Sequence, residues 1–262
     1  MMKTYPLLEE NLKSLRLATF LKDYNKVAEE ETRLNHSYQE YLSILAEKEV
    51  LKRQENATHN RIKQAHFPAI KTLDIFDFSY SPSIKKREIL EMMEGKFVEN
   101  REDVIFVGPC GTGKTHLAIA IGVNACHLGY KVFFTTTASL INTLLEAKKE
   151  YRLNRKWESF SKISLIILDE LGYIPFDKEG TDLLFQFVSQ RYEQASLIIT
   201  TNLAFADWGK VFHDTNTTAA ILDRLVHHSI IINITGKSYR LQSRLGKEEK
   251  KKEKKKESKE EN

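Results

Sequence analysis

Gly108-Pro109-Cys110-Gly111-Thr112-Gly113-Lys114-Thr115 is the stretch whose reading decides the fold. A glycine, four variable residues and then Gly-Lys-Thr is the spacing of a phosphate-binding loop. Ahead of it, Asp103-Val104-Ile105-Phe106-Val107 is a short run of apolar, mostly β-branched or aromatic residues, as a buried strand requires. Behind it, His116 to Val123 reads as a helix packed on both flanks, starting near Gly113. The glycines let backbone N–H groups turn toward a phosphate without Cβ clashes, and the helix start adds its positive dipole end there. Residues 108–116, including Pro109, Cys110, Thr112 and His116, therefore form the expected nucleotide cradle. Lys114 is placed for the β- and γ-phosphates, and the Thr115 hydroxyl for Mg²⁺. The chain is expected to bind a nucleoside triphosphate, ATP, with Mg²⁺.

Outward from the loop, strands and helices alternate, which implies a mostly parallel sheet covered on both faces. Strands are expected at Lys131–Thr137, Ser164–Leu168, Ser196–Thr200 and Ser229–Ile234. The intervening helices are expected from Ser139, as cap, to Tyr151, from Gly180 to Gln194 and from Thr217 to Val226. The third strand runs directly into Asp169-Glu170. An acidic residue at the carboxyl end of a parallel strand lies in the ligand crevice of such a sheet. Asp169 is placed to hold Mg²⁺ and Glu170 to orient and deprotonate the attacking water. Asn202, after the next strand, is a candidate sensor of the γ-phosphate, although Thr-Asn after a strand also simply starts a turn.

Upstream, residues 7–66 read as two or three amphipathic helices. Leu12, Leu15, Ala18, Leu21 and Tyr24 form one stripe and Leu34, Tyr38, Tyr41 and Leu45 another, both expected to be core. Arg53, Arg61 and Lys63, with His59 and His66, gather beside a thin apolar stripe. They suit either a cationic face for nucleic-acid phosphates or an ordinary solvated helix face. Pro68 ends this region. The connector Thr72–Phe78 carries aromatics that suit either an adenine ring or plain packing, and a helix to about Glu94 is expected to turn Ile84, Ile89, Leu90 and Met93 inward. The organisation expected is a helical module at 1–68, a nucleotide-binding domain at 69–245 and a Lys/Glu-rich tail at 246–262. With no apolar residue, that tail has nothing to bury and is expected to be disordered.

Composition excludes several classes. The 262 residues include two cysteines, Cys110 and Cys126, too few for a disulfide framework. The apolar runs are strand-sized, which speaks against a membrane span and for a cytoplasmic protein. A net charge of +4 permits nucleic-acid contact through a local patch without demanding it. His227-His228 is a weak metal candidate, because helical neighbours point about 100° apart. Trp157 and Trp208 read as packing residues.

From Thr72 to Arg244 the chain resembles the IstB-like ATP-binding proteins, transposition helpers related to DnaC-type helicase loaders. The resemblance rests on Lys71–Phe78, on Leu168-Asp169-Glu170-Leu171-Gly172-Tyr173-Ile174-Pro175 and on Ile199-Thr200-Thr201-Asn202-Leu203. Leu222-Asp223-Arg224-Leu225-Val226-His227-His228 and Gly236-Lys237-Ser238-Tyr239-Arg240-Leu241 complete it. It implies the AAA+ P-loop fold, an α/β architecture with five parallel strands in the order 5-1-4-3-2. Arg224 matches the arginine finger that reaches a neighbouring subunit's γ-phosphate, and Arg240 matches the second sensor. The partners so implied are double-stranded DNA, further copies of the chain in a ring or helical filament, and a transposase. A replicative helicase loader is the alternative in the same superfamily. A phosphotransferase fits poorly beside an Asp-Glu pair suited to activating water, and a non-hydrolysing adaptor fits poorly beside an intact Glu170.

Overall fold

The computed structural model describes residues 5–34, 37–212, 214–236 and 238–239. Arg240 and the tail at 246–262 lie outside these. By contacts the chain divides into two compact units, Met1–Asn60 and Arg61–Asn262.

The first unit contains α1 (Pro6–Ser14), α2 (Ala18–Leu34) and most of α3 (Tyr38–Gln64). Leu12, Tyr24, Val27 and Leu45 are its buried centre. Glu49 fixes the start of α2 by accepting from Thr19 N at 2.9 Å, and Arg53 Nε donates to the same carboxylate at 2.8 Å. That guanidinium hydrogen bond holds the Glu49 carboxyl below the usual carboxylate range. The stripes are shorter than expected. Leu15, Leu34 and Tyr38 are exposed. Leu15 already lies beyond the end of α1, so helical spacing no longer aims it inward.

The second unit holds a five-stranded parallel sheet, β1 (Asp103–Val107), β2 (Val132–Thr136), β3 (Leu165–Leu171), β4 (Ser196–Thr201) and β5 (Ser229–Asn233). Its order is β2-β3-β4-β1-β5, the 5-1-4-3-2 order read from the other edge. Strand alternation sorts the core into two layers. Val104, Phe106, Ile167 and Ile198 face α6 (Lys114–His127), with α4 (Lys86–Met93) and α5 (Lys96–Glu99) in the same layer. Ile105, Ile166, Leu168 and Ile199 face the other layer, built from α7 (Thr137–Lys149), α8 (Leu153–Ser161), α9 (Lys178–Arg191) and α10 (Thr215–His227). The edge strand β2 is lashed to the segment before Pro68, where Ala65 O accepts from Phe134 N at 2.8 Å.

Local details depart from the expectations. Thr136, not Ser139, caps α7, accepting from Ser139 N at 3.2 Å, so the helix starts earlier. Met92, not Leu90, turns inward on α4, because a helix starting at Lys86 puts Ile89 and Met92 on one face. The helix α8 was not expected. Leu153, Trp157 and Phe160 give it an apolar side against the α9 layer. Trp208 is fully buried, its ring tilted against Phe205 and edge-on to Phe212.

At the amino-terminal edge of the sheet a buried cation ties strand starts together. Arg191 donates to the carbonyls of Phe160 and Ile163 at 3.0 and 2.8 Å and to Ser196 O at 3.1 Å. Burial pulls its pKa down to about 10, which leaves it charged at neutral pH. Nearby, Asp103 accepts from Leu197 N at 2.7 Å. Burial pushes this carboxyl up to about 7, against the opposing pull of that hydrogen bond and of Arg191. A folded-state pKa above the unfolded value means that the native state holds a proton the unfolded chain releases. The resulting stability is present below about pH 4 and is lost as pH rises through about 7. Relative to wild type, Asp103→Asn should therefore gain stability between about pH 4 and pH 7. Urea midpoints across that range test this, and a constant difference between the two proteins overturns it.

Candidate nucleotide-binding site

The carboxyl ends of β1, β4 and β5 meet around the loop. Gly108 N donates to Thr201 O at 3.1 Å and Ile234 N to Val107 O at 2.7 Å. Space is so tight that a Cβ on Gly108, whose φ is +155°, would lie 2.0 Å from Ile234 O. Gly113, at φ +98°, precedes the first turn of α6, and a Cβ there would lie 2.6 Å from the Phe76 ring. Only glycine serves at these two positions.

Phe76 thus lies directly over the loop. Its ring meets Phe78 at 4.9 Å and His116 at 5.2 Å edge-on, while His116 Nε2 lies 2.9 Å from Thr72 O. A cavity of about 440 Å³ opens here, lined by Lys71, Phe76, Tyr80, Thr115 and Tyr239 together with the loop. Tyr80 and Tyr239 pack edge-on at 4.9 Å, and Tyr239 N donates to Gly111 O at 3.0 Å. The Gly236–Leu241 motif therefore returns to the loop through Ser238 and Tyr239. Arg240 itself lies outside the described residues.

Loop geometry is held from within. Thr112 Oγ1 donates to Pro109 O at 2.9 Å, and Ser81 Oγ to Thr112 O at 3.1 Å. The Lys114 ammonium donates to Gly108 O at 2.7 Å and Pro109 O at 2.8 Å. Cys110 is exposed on the loop.

From β3 comes the acidic pair. Asp169 is buried and its Oδ1 accepts from Thr115 Oγ1 at 2.8 Å and from Thr200 Oγ1 at 2.5 Å. Thr200 Oγ1 also accepts from Glu170 N at 3.1 Å, and Thr137 Oγ1 donates to Asp169 O at 3.2 Å. Thr200 thus links both members of the pair to β4, a role that sequence reasoning missed. Its signal was the Thr-Thr-Asn end of an otherwise apolar strand, legible only once β3 and β4 are known to be neighbours. The β3–β4 register is broken between Leu168 and Leu171, and Glu170 sits there at φ +60° with its side chain exposed. A bulge of this kind re-aims a side chain, and a left-handed non-glycine residue costs about 1 kcal/mol. Asn202 follows β4 directly and is exposed.

The remaining candidates are elsewhere. Arg224, on α10, donates to Ala220 O at 3.0 Å and lies 4.7 Å from the centre of the Phe185 ring. It stands about one turn before β5 begins, at the amino-terminal end of the strands, whereas the phosphate loop follows the carboxyl end of the neighbouring β1. Arg53 belongs to the first unit and Arg61 and Lys63 to the second. Arg53 donates to Glu49 and to Arg16 O at 2.9 Å, and Arg61 to Cys126 O at 2.8 Å, while Lys63 is exposed.

A parallel sheet in this order, with a glycine-rich phosphate loop after β1 and a carboxylate from β3 beside it, has the fold of the AAA+ P-loop class. Within that class the chain belongs to the family of IstB-like ATP binding proteins, whose model matches residues 10–247. It is 41% identical to a Geobacillus stearothermophilus protein named for ATP binding in insertion sequence IS5376, over 90% of this chain and 94% of that one. It is 42% identical to the corresponding IS21 protein of Pseudomonas aeruginosa, over 90% of this chain and 89% of that one. Among solved structures, DnaI is similar in fold, with a TM-score of 0.53 at 19% identity, covering 63% of this chain and 91% of that chain.

Proposed function

We propose that this protein is a DNA-binding ATPase of an insertion sequence, which assembles with ATP on duplex DNA and directs a transposase to its target site. The observation that carries the reading is the junction of Thr115, Asp169 and Thr200 beside the loop, with Glu170 at its exposed rim. ATP enters the cavity with its base against Phe76 and Tyr80, and its phosphates take the loop N–H groups. Lys114 exchanges its carbonyl partners for β- and γ-phosphate oxygens. The Thr115 hydroxyl and the Asp169 carboxylate are hard oxygen donors from two elements that already touch, which suits Mg²⁺. When bound, that ion neutralises charge on the phosphates. Glu170 takes the proton of the attacking water, and Asn202 holds the water and senses the γ-phosphate.

Arg224 is assigned to a neighbour's nucleotide, because it stands at the amino-terminal end of the strands and the loop of its own subunit at their carboxyl end. Acting on a neighbour requires that it leave Phe185 and Ala220 O, a stacking contact and a hydrogen bond worth about 1 kcal/mol each. Hydrolysis then depends on assembly, and assembly on DNA gives stimulation by DNA. Arg240 is assigned to the phosphates of its own subunit. The likeness to DnaI is one of fold and lends a helicase-loading role no separate weight.

For DNA, the α7–α8 turn offers features beyond Arg53, Arg61 and Lys63. Tyr151 there is 98% exposed, at φ +55°, and Lys149, Arg152 and Arg155 around it are exposed too. Cations that meet phosphates bind without sequence preference and give way to salt, by about 0.9 log unit of affinity per log unit of salt and per phosphate contact. Duplex affinity should fall steeply along a salt series. Charge reversal at Arg53, Arg61 and Lys63 should weaken binding to every sequence, with Lys63→Glu as the arm that disturbs no internal hydrogen bond. A flat salt response overturns the phosphate-contact assignment. Loss confined to Arg155→Glu moves the contact to the α7–α8 turn. Among the described residues no helix is long and apolar enough to cross a membrane, and we assign the protein to the cytoplasm with its DNA and transposase.

A further inference from the structure

We propose that Glu193, His227 and His228 form a binding site for a divalent cation of the zinc class, joining the end of α9 to the end of α10. The sequence alone discounted the histidine pair, because neighbours on a helix diverge by about 100° and no acidic or cysteine cluster accompanies it. Both objections fail in the fold. His228 lies past the end of α10, at φ −121° and ψ 54°, so helical divergence does not apply. The two imidazole rings are 4.2 Å apart. The acidic partner comes from the turn after α9, where Glu193 is held at φ +57°.

One ligand atom from each of the three residues lies within 4.8 Å of the others, and His228 Nε2 is 3.2 Å from Glu193 Oε1. Metal–ligand bonds of about 2.0–2.2 Å place tetrahedral donors roughly 3.4 Å apart, so this pair already has the separation that zinc requires. A histidine that binds metal through one ring nitrogen characteristically gives the other to an outer partner, which fixes the tautomer. Tyr192 fills that place, its hydroxyl 2.9 Å from His227 Nδ1, which leaves His227 Nε2 for the ion. The three ligand residues are exposed, which gives the ion a way in and keeps a fourth position for water.

The competing reading is an ordinary surface ion pair between protonated His228 and Glu193, worth about 0–1 kcal/mol. It accounts for one contact of the group. It leaves unexplained the approach of the His227 ring to the same pair and the Tyr192 hydroxyl that holds the outer nitrogen of that ring. Two imidazoles and one carboxylate favour Zn²⁺, Co²⁺ or Ni²⁺ over Mg²⁺, so the site is chemically distinct from the oxygen pair at Thr115 and Asp169. Because Arg224 is one turn before His228, occupancy also steadies the segment that carries it.

The test uses the full-length chain without an affinity tag and the metal ion alone. Co²⁺ should develop the intense visible absorption of a four-coordinate site at one equivalent, and Zn²⁺ should displace it. Zinc competed against a chromophoric chelator should bind about 10–100-fold more weakly to Glu193→Gln and His228→Ala, and about 10-fold more weakly to Tyr192→Phe. Zinc should raise the unfolding midpoint of the wild type by several degrees and that of the His227→Ala/His228→Ala protein not at all. His59→Ala and His127→Ala should change none of this. A wild-type chain without the four-coordinate Co²⁺ spectrum overturns the proposal without recourse to any variant. So does zinc affinity unaltered in Glu193→Gln, a substitution of an exposed side chain that keeps its shape.

Discussion

Lys114→Ala should abolish nucleotide binding, whereas Glu170→Gln should bind nucleotide at wild-type affinity and stop turning it over. The two residues act on different steps. Lys114 begins α6 and its ammonium is held inside the loop, at 2.7 and 2.8 Å from two loop carbonyls, where β- and γ-phosphate oxygens would replace them. Alanine leaves backbone N–H groups to hold several negative charges without a cation. Glu170 is exposed on the rim beyond Asp169, and no loop contact depends on its carboxylate. Glutamine keeps its size and keeps the backbone hydrogen bond to Thr200, so the cradle should survive. An amide cannot accept the proton of the attacking water, and a catalytic base contributes about 10²–10⁴-fold. Fluorescent-nucleotide titration beside phosphate release separates the outcomes. Wild-type turnover in Glu170→Gln would remove Glu170 from the mechanism.

The parts of this site that were legible in the sequence are those in which one short segment contains all the chemistry. Strand, glycine-rich turn and helix at 103–123 depend on neighbours in the chain. So does the apolar strand that runs into Asp169-Glu170. What depends on long-range packing was not legible. Thr200 matters because β4 lies beside β3, and the strand order came from the resemblance alone. Helix starts were off by a few residues where several hydroxyl-bearing residues compete. In Thr135-Thr136-Thr137-Ala138-Ser139, any of the four hydroxyl residues could cap, and tertiary packing chose Thr136. Leu90 and Met92 exchanged places for the same reason, since sliding a helix start by a residue rotates its inner face by about 100°. The approach of Glu193 to the His227-His228 pair was likewise not legible, because Glu193 is near in space and distant in the chain.

Loss of Arg224 should be rescued in mixtures, because its target is the neighbour's nucleotide. Arg224→Ala keeps Lys114, Thr115 and Asp169 intact in the same subunit and should still bind ATP. The fold itself should tolerate the change. The side chain gives up one hydrogen bond to Ala220 O and its place over Phe185, both on the surface of the α9–α10 layer. Hydrolysis should nonetheless drop by about 10³-fold or more, the size of effect typical of a missing arginine finger. Lys114→Ala is inactive for the opposite reason, a sound finger beside a ruined loop. Where an Arg224→Ala subunit sits next to a Lys114→Ala subunit, the good loop can meet the good finger. Mixing the two on duplex DNA should restore a fraction of the wild-type rate, with a maximum near equal proportions. Sedimentation of the mixture establishes that both variants enter the same assembly. With co-assembly established, turnover no greater than the sum of the separate variants would refute a finger acting between subunits. The same outcome would leave Arg224 as a residue of α10 packed over Phe185 and return the question of what stabilises the transferring phosphoryl group to Arg240.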